Sequence, residues 1–142
     1  MVKIHNVRMI VENQSGIIMQ FTSDWFDSGR LADTFTWPKT VENGGKLDVL
    51  CYEKDRSLAG CSGTVDYKMN DTEVTFAFSN PDVGTNKLGV GTSGRDVWDN
   101  MTNHDYSPFE VDILIGDIPL KCQCQCTGGT TNLATVKMIR VD

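Results

Sequence analysis

A chain of 142 residues with 39% hydrophobic and 23% charged side chains has the size and composition of one ordinary globular domain, 1–142, and not of a disordered segment. Its formal net charge of −6 and pI near 4.8, without a Lys/Arg cluster, argue against nucleic acid as a partner and against anionic lipid bound by charge alone. No apolar run approaches a membrane span, and the start MVKIHNVRMIVEN lacks a signal-peptide core. The expectation is a cytosolic chain, or a secreted one whose leader has been removed.

Short alternating runs separated by turn residues fill most of the chain. Val7, Met9 and Val11 alternate before Asn13-Gln14-Ser15-Gly16, and Ile17, Met19 and Phe21 follow, which reads as a hairpin whose first strand spans Lys3 to Val11. Ser23-Asp24-Trp25-Phe26 reads as a short turn or a loop pinned to the core. Leu47, Val49 and Cys51 alternate after Asn43-Gly44-Gly45. Val65, Tyr67 and Met69 precede the turn Asn70-Asp71 and the run Val74, Phe76, Phe78.

The Gly84–Gly91 segment lacks the order of a phosphate-binding loop, so its glycines are expected to let backbones pass closely. Ser93-Gly94-Arg95-Asp96 reads as a helix start capped by Ser93, with Val97, Trp98 and Met101 at helical spacing through about His104, where Ser107-Pro108 stops it. Val111, Ile113 and Ile115 end at Gly116-Asp117. Leu120, Cys122, Cys124 and Cys126 form the next strand, and Ala134, Val136 and Met138 the last. The fold class is all-β: a two-sheet sandwich of about ten to twelve strands with one or two short flanking helices.

Chemistry-bearing motifs are sparse. Five cysteines form an odd set, expected reduced. On a strand, Cys122, Cys124 and Cys126 share one face at roughly 7 Å spacing, which suits a core face and not a tetrahedral zinc site. His5 and His104 have no catalytic neighbourhood, and no close carboxylate pair suggests acid–base work. No enzymatic activity, metal or cofactor is implied. Asn13, Asn70 and Asn100 begin N-x-[ST] triplets, which matter only in a secreted chain.

Several segments, taken in order, resemble the actinoporin-like family. They are Val11-Glu12-Asn13-Gln14-Ser15-Gly16, Trp25-Phe26-Asp27-Ser28-Gly29, Ala32-Asp33, Pro38-Lys39-x-Val41, Gly60-Cys61-Ser62-Gly63, Tyr67-x-Met69, Phe78-Ser79-x-Pro81 and Ser107-Pro108-Phe109. The resemblance implies a β-sandwich without enzymatic activity, an architecture also attributed to fungal fruit-body lectins. It implies a ligand pocket where Ser28, Ser62, Ser79 and Pro81 meet the segment holding Trp98, Asn103, His104 and Tyr106. The family's Tyr/Trp-rich loop is replaced here by Asp82–Lys87, and its pore-lining helix would precede a strand that already begins near Lys3. The expected partner is therefore a glycan or a phosphocholine or sphingolipid headgroup at a membrane surface. Pore formation is a second reading, and a self-associating or protein-binding module is a third; a homo-oligomer fits any of these. Trp98 has an alternative role as the anchor of its helix.

Overall fold

The computed structural model describes residues 3–141. The strands are β1 (Asn6–Gln14), β2 (Met19–Ser28), β3 (Arg30–Leu31), β4 (Thr40–Val41), β5 (Lys46–Tyr52), β6 (Gly60–Met69), β7 (Thr72–Pro81), β8 (Lys87–Gly91), β9 (Phe109–Ile115), β10 (Ile118–Gln125) and β11 (Thr131–Arg140). A one-turn helix α1 (Arg95–Asp99) and a short turn at His104–Tyr106 interrupt them. A six-stranded sheet ordered β3-β5-β1-β11-β10-β9 packs on a five-stranded sheet ordered β4-β2-β6-β7-β8. Among the described residues no helix is long and apolar enough to cross a membrane.

Alternation places the core as the sequence implies. Val7, Met9 and Val11 of the first sheet, with Val65, Tyr67 and Met69 of the second, are fully buried between the layers. Val74, Phe76 and Phe78 join them, and the β6–β7 hairpin closes at Asn70, whose φ of +52° suits asparagine in a tight turn. Cys122 and Cys124 of β10, and Cys126 just beyond it, are buried on the core face. Burial pushes the Cys122 thiol up to about 12 and that of Cys126 up to about 11, so both are protonated at neutral pH.

Three local expectations are corrected. Val7–Val11 and Ile17–Phe21 do not form a hairpin: β1 pairs in parallel with β11 and antiparallel with β5, whereas β2 pairs with β4 and β6. Alternation reveals that one face of a strand is buried but not which neighbour it joins, and at Asn13–Ile17 the chain crosses from one sheet to the other. The first strand also begins at Asn6, not Lys3, and continues to Gln14. Ser23–Phe26 is not a turn but lies inside β2, whose register shifts between Phe21 and Ser23 and between Phe26 and Ser28 disguise the alternation.

The helix is likewise shorter than its spacing suggests. Gly94 occupies the cap with no side-chain hydrogen bond, so Ser93 does not cap it, and α1 ends at Asp99. The chain then turns to pair with β8: Leu88 N–H donates to Thr102 O (3.0 Å) and Thr102 N–H to Leu88 O (3.1 Å). Strand-edge pairing outcompetes another helical turn.

Buried asparagines bridge the layers. Asn132 Nδ2 on β11 donates to Ser79 O on β7 (3.0 Å) and Lys87 O on β8 (3.1 Å), while its Oδ1 accepts from Thr127 N–H (3.1 Å). Asn80 on β7 reaches back to Asn6 O (2.9 Å) and Thr130 O (3.0 Å). At the opposite end Asn13 donates to Ile17 O (2.8 Å) and Val41 O (3.0 Å). Asn13 is wholly buried, which removes it as a glycosylation acceptor in the folded chain, whereas Asn70 and Asn100 are exposed. Replacing Asn132 by Ala strands several buried backbone groups, and we expect it to lower unfolding stability by about 2–4 kcal/mol. Urea denaturation checks this, and a loss under about 0.5 kcal/mol, the range of neutral surface changes, would contradict the bridging role.

Candidate functional site

The outward face of the second sheet carries the most distinctive surface. Strand register aligns Ser28, Ser62, Ser79 and Lys87 across β2, β6, β7 and β8, so their side chains share one face. Ser28 Oγ and Ser62 Oγ lie 3.3 Å apart, and Ser62 and Ser79 are largely buried. The adjacent row is Trp25, Thr64, Ala77 and Gly89. Beyond it, the Asp66 carboxylate accepts from Thr75 Oγ1 (2.6 Å) and Ser23 Oγ (3.0 Å).

Two close approaches build this face. A Cβ at Gly63 would fall 2.2 Å from Trp25 O, so β2 and β6 come together at the tryptophan only because position 63 has no side chain. A Cβ at Gly89 would meet Val97 O at 3.0 Å, and one at Gly91 would meet Val97 Cγ2 at 3.0 Å. The glycines of β8 therefore admit α1 onto the sheet, the close passage expected from the sequence. Val97 is buried against these glycines, and the neighbouring Trp98 is half-buried.

Trp98 meets Trp25 edge to face, with ring centroids 5.0 Å apart and planes at 85°. Trp25 is 39% exposed, and the Arg95 guanidinium lies 5.1 Å from its ring centre. Asp99 holds the other side of Arg95 at 3.6 Å. An exposed tryptophan of β2, packed against a half-buried one of α1 and beside the Arg95 guanidinium, thus lies next to a row of serines of which Ser62 and Ser79 are nearly buried.

The eight residues expected to line one pocket do not come together in one place. Ser28, Ser62, Ser79 and Trp98 belong to the sheet face. Pro81 and Tyr106 instead line an open cavity of about 470 Å³ at the end of the sandwich, together with His5, Thr85, Asn86 and Thr130. Asn103 and His104 lie on the segment between. Asn103 Oδ1 accepts from Asp105 N–H (2.9 Å), and the His104 ring stacks on Phe109 at 4.5 Å. His104, Asp105 and Tyr106 all have left-handed backbones, with φ of +44°, +53° and +63°. That costly run is held by the Asn103 bond and by Gln125 Nε2 donating to Tyr106 O (3.1 Å). A further cavity of about 560 Å³ lies beside Leu114, Pro119 and Val141, with no aromatic among the described residues that line it.

The fold has solved counterparts. The chain is similar to the lipid-binding protein Nakanori over 97% of this chain and 71% of that one, with a TM-score of 0.71 and 19% identity. It is similar to the RahU protein, solved in complex with a TRIS molecule, over 99% and 98% of the two chains (TM-score 0.65, 13% identity). It also resembles the Xerocomus chrysenteron lectin over 94% and 98% (TM-score 0.59, 12% identity). At these identities the likeness is one of fold. No family model matches the chain, and no curated protein matches its sequence.

Sequence reasoning missed Trp25 as the partner of Trp98 and Arg95 as the cation over Trp25, because the irregular register of β2 hides which face Trp25 occupies. It also missed the pairing of His5 Nδ1 with Glu53 Oε2 beneath the end cavity. Burial opposes the charge of Glu53, but Ile4 N–H donating to its Oε1 (2.9 Å), His5 and Lys3 hold its pKa below the ordinary 4.5. A depressed carboxyl pKa contributes stability that is present above the unfolded value and is lost as pH falls through the folded one. Glu53→Gln should therefore cost about 1–3 kcal/mol near neutral pH, with the deficit shrinking once pH drops below 4.5. Urea titrations at both pH values check this; a deficit independent of pH would count against it.

Proposed function

We propose that this chain is a non-enzymatic recognition domain that binds a membrane-surface group, a glycan or a lipid headgroup, on the sheet face around Trp25 and Trp98. The observation that carries the reading is the exposed Trp25, braced by Trp98 and next to the serine row. Such a platform offers an apolar stacking face beside the half-buried Ser28 hydroxyl, a combination that suits a polar ligand with one flat side. The solved neighbours, which include a lipid-binding protein and a lectin, support a binding role for this fold.

Arg95 bears on the ligand class. Its guanidinium already covers the Trp25 ring, so a quaternary ammonium at that face would have to displace a cation. A sugar hydroxyl or a headgroup phosphate instead gains a donor from Arg95, which is 69% exposed and able to swing. The favoured contact is thus through oxygen atoms, with choline at most peripheral.

A combined glycan and lipid array identifies the ligand, and titrations of variants then locate it. Trp25→Ala should weaken binding by about 1–3 kcal/mol, roughly 5- to 150-fold, as truncation of an interface anchor does. Tyr106→Ala separates the two places: an effect under about twofold confines the ligand to the sheet face, and a larger one extends the site over Pro81 into the end cavity. Unchanged affinity in both folded variants would overturn the reading.

A further inference from the structure

The two sheets have four edges, and these are finished differently. β3 and β4 are two residues long, and β8 is bridged along its outer side by Thr102. β9 differs from them: seven residues, Phe109–Ile115, at the end of the first sheet with β10 as its strand partner. The two-residue turn Gly116-Asp117 fixes which of its backbone groups face outward. It closes on Ile115 and Ile118 as a hydrogen-bonded pair, so residues 109, 111, 113 and 115 bond to β10. The N–H and C=O groups of Glu110, Asp112 and Leu114 then point to the free edge, where no described residue pairs with them. A long uncovered edge of this kind is a template for another strand.

The surface beside the edge selects which strand. The side chains of Glu110, Asp112 and Leu114 share the outer face of the sheet, and all three are exposed. Glu110, Asp112 and Asp117 give β9 and its turn three carboxylates and no cation, while Lys121 of β10 reaches Glu110 at 3.6 Å. At the Leu114 end lies the cavity of about 560 Å³, lined by Asp112 and Leu114, by Pro119 and Lys121 of β10, by Val141, and by Thr92 beyond the end of β8. Leu114, Pro119 and Val141 are exposed and make one part of it apolar. A second copy suits this edge poorly. Antiparallel pairing centred on Asp112 sets two aspartates opposite one another, and no register of β9 on itself supplies a cation.

We propose that β9 is a docking edge for an extended basic segment of a partner protein, which adds a seventh strand to the first sheet. The segment alternates: lysine or arginine side chains lie over Glu110 and Asp112, and an apolar side chain enters the cavity at Leu114. Backbone hydrogen bonds to residues 110, 112 and 114 supply affinity, and the carboxylates and the cavity supply selectivity. Carboxylates along an edge discourage the strand from pairing with its own kind and leave it open to opposite charge. The site lies on a different sheet from Trp25 and stands independently of the ligand proposed there.

The test uses the full chain and a blocked heptapeptide, Thr-Leu-Thr-Lys-Val-Lys-Thr, against a second peptide with glutamate in place of both lysines. Anisotropy of the labelled peptides reads affinity, and hydrogen exchange followed by NMR reads individual amides. The lysine peptide should bind saturably, about tenfold more tightly than the glutamate peptide at low salt. It should also slow exchange at residues 110, 112 and 114, the amides that face the free edge. Asp112→Lys, a change at an exposed position, should abolish the preference for the lysine peptide. A lysine peptide that does not bind, two peptides that bind alike, binding that leaves those three amides exchanging as before, or an unaltered preference in the folded variant would each overturn the proposal. So would concentration-dependent protection of the same amides in the chain alone, which gives the edge to a second copy. The wild-type comparison decides the matter if the variant fails to fold.

Discussion

Buried asparagine amides hold the two sheets together at their ends, and the rest of the molecule depends on that bond pattern. A sandwich core is non-directional: apolar side chains from the two inner faces fill space but do not by themselves fix how one sheet sits over the other. Asn132, Asn80 and Asn13 supply direction, because each donates to backbone oxygens that strand pairing leaves over at the layer crossings. Two of those acceptors, Ser79 O and Lys87 O, belong to the residues that continue the serine row outward. The polar interior and the exterior surface are two sides of the same strands.

That geometry accounts for how much was legible in the sequence. The strands β5, β6, β7, β9, β10 and β11 follow from the alternation of their large apolar residues and from the turn residues that separate them. The partners of β1 were not legible. The parallel pairing of Asn6–Gln14 with residues 131–139 joins the two ends of the chain, and a local pattern carries no trace of it. The helix was legible as an interruption but not in length, since its end is set by Thr102 docking on Leu88, a contact far apart in sequence.

The candidate site shows the same division. The three serines were named from the resemblance, and strand register sets all of them side by side. Trp98 was named too, but with its alternative role as an anchor. Val97 packs over Gly89 and Gly91, and Trp98 adds a second contact between helix and sheet through Trp25. Trp25 escaped because the register shift between Phe21 and Ser23 reverses the facing of the residues that follow it, so Trp25 points outward and Phe26 inward, where it meets Phe78 at 5.7 Å. Irregular strands conceal the residues that they re-aim, and functional surfaces commonly gather at such places.

The central claim is that recognition takes place on the aromatic sheet face. The chain has three tryptophans, and each reports on a different environment: Trp25 is exposed, Trp98 half-buried, and Trp37 buried with its indole N–H donating to Asp24 at 2.8 Å. The most direct measurement follows their three indole N–H resonances by heteronuclear NMR as the array-identified glycan or headgroup is added. The account predicts that the Trp25 and Trp98 signals shift in saturable fashion with one common dissociation constant, while the Trp37 signal stays in place. Saturable binding that moves none of these signals, or that moves residues around Leu114 and Val141 instead, would contradict it.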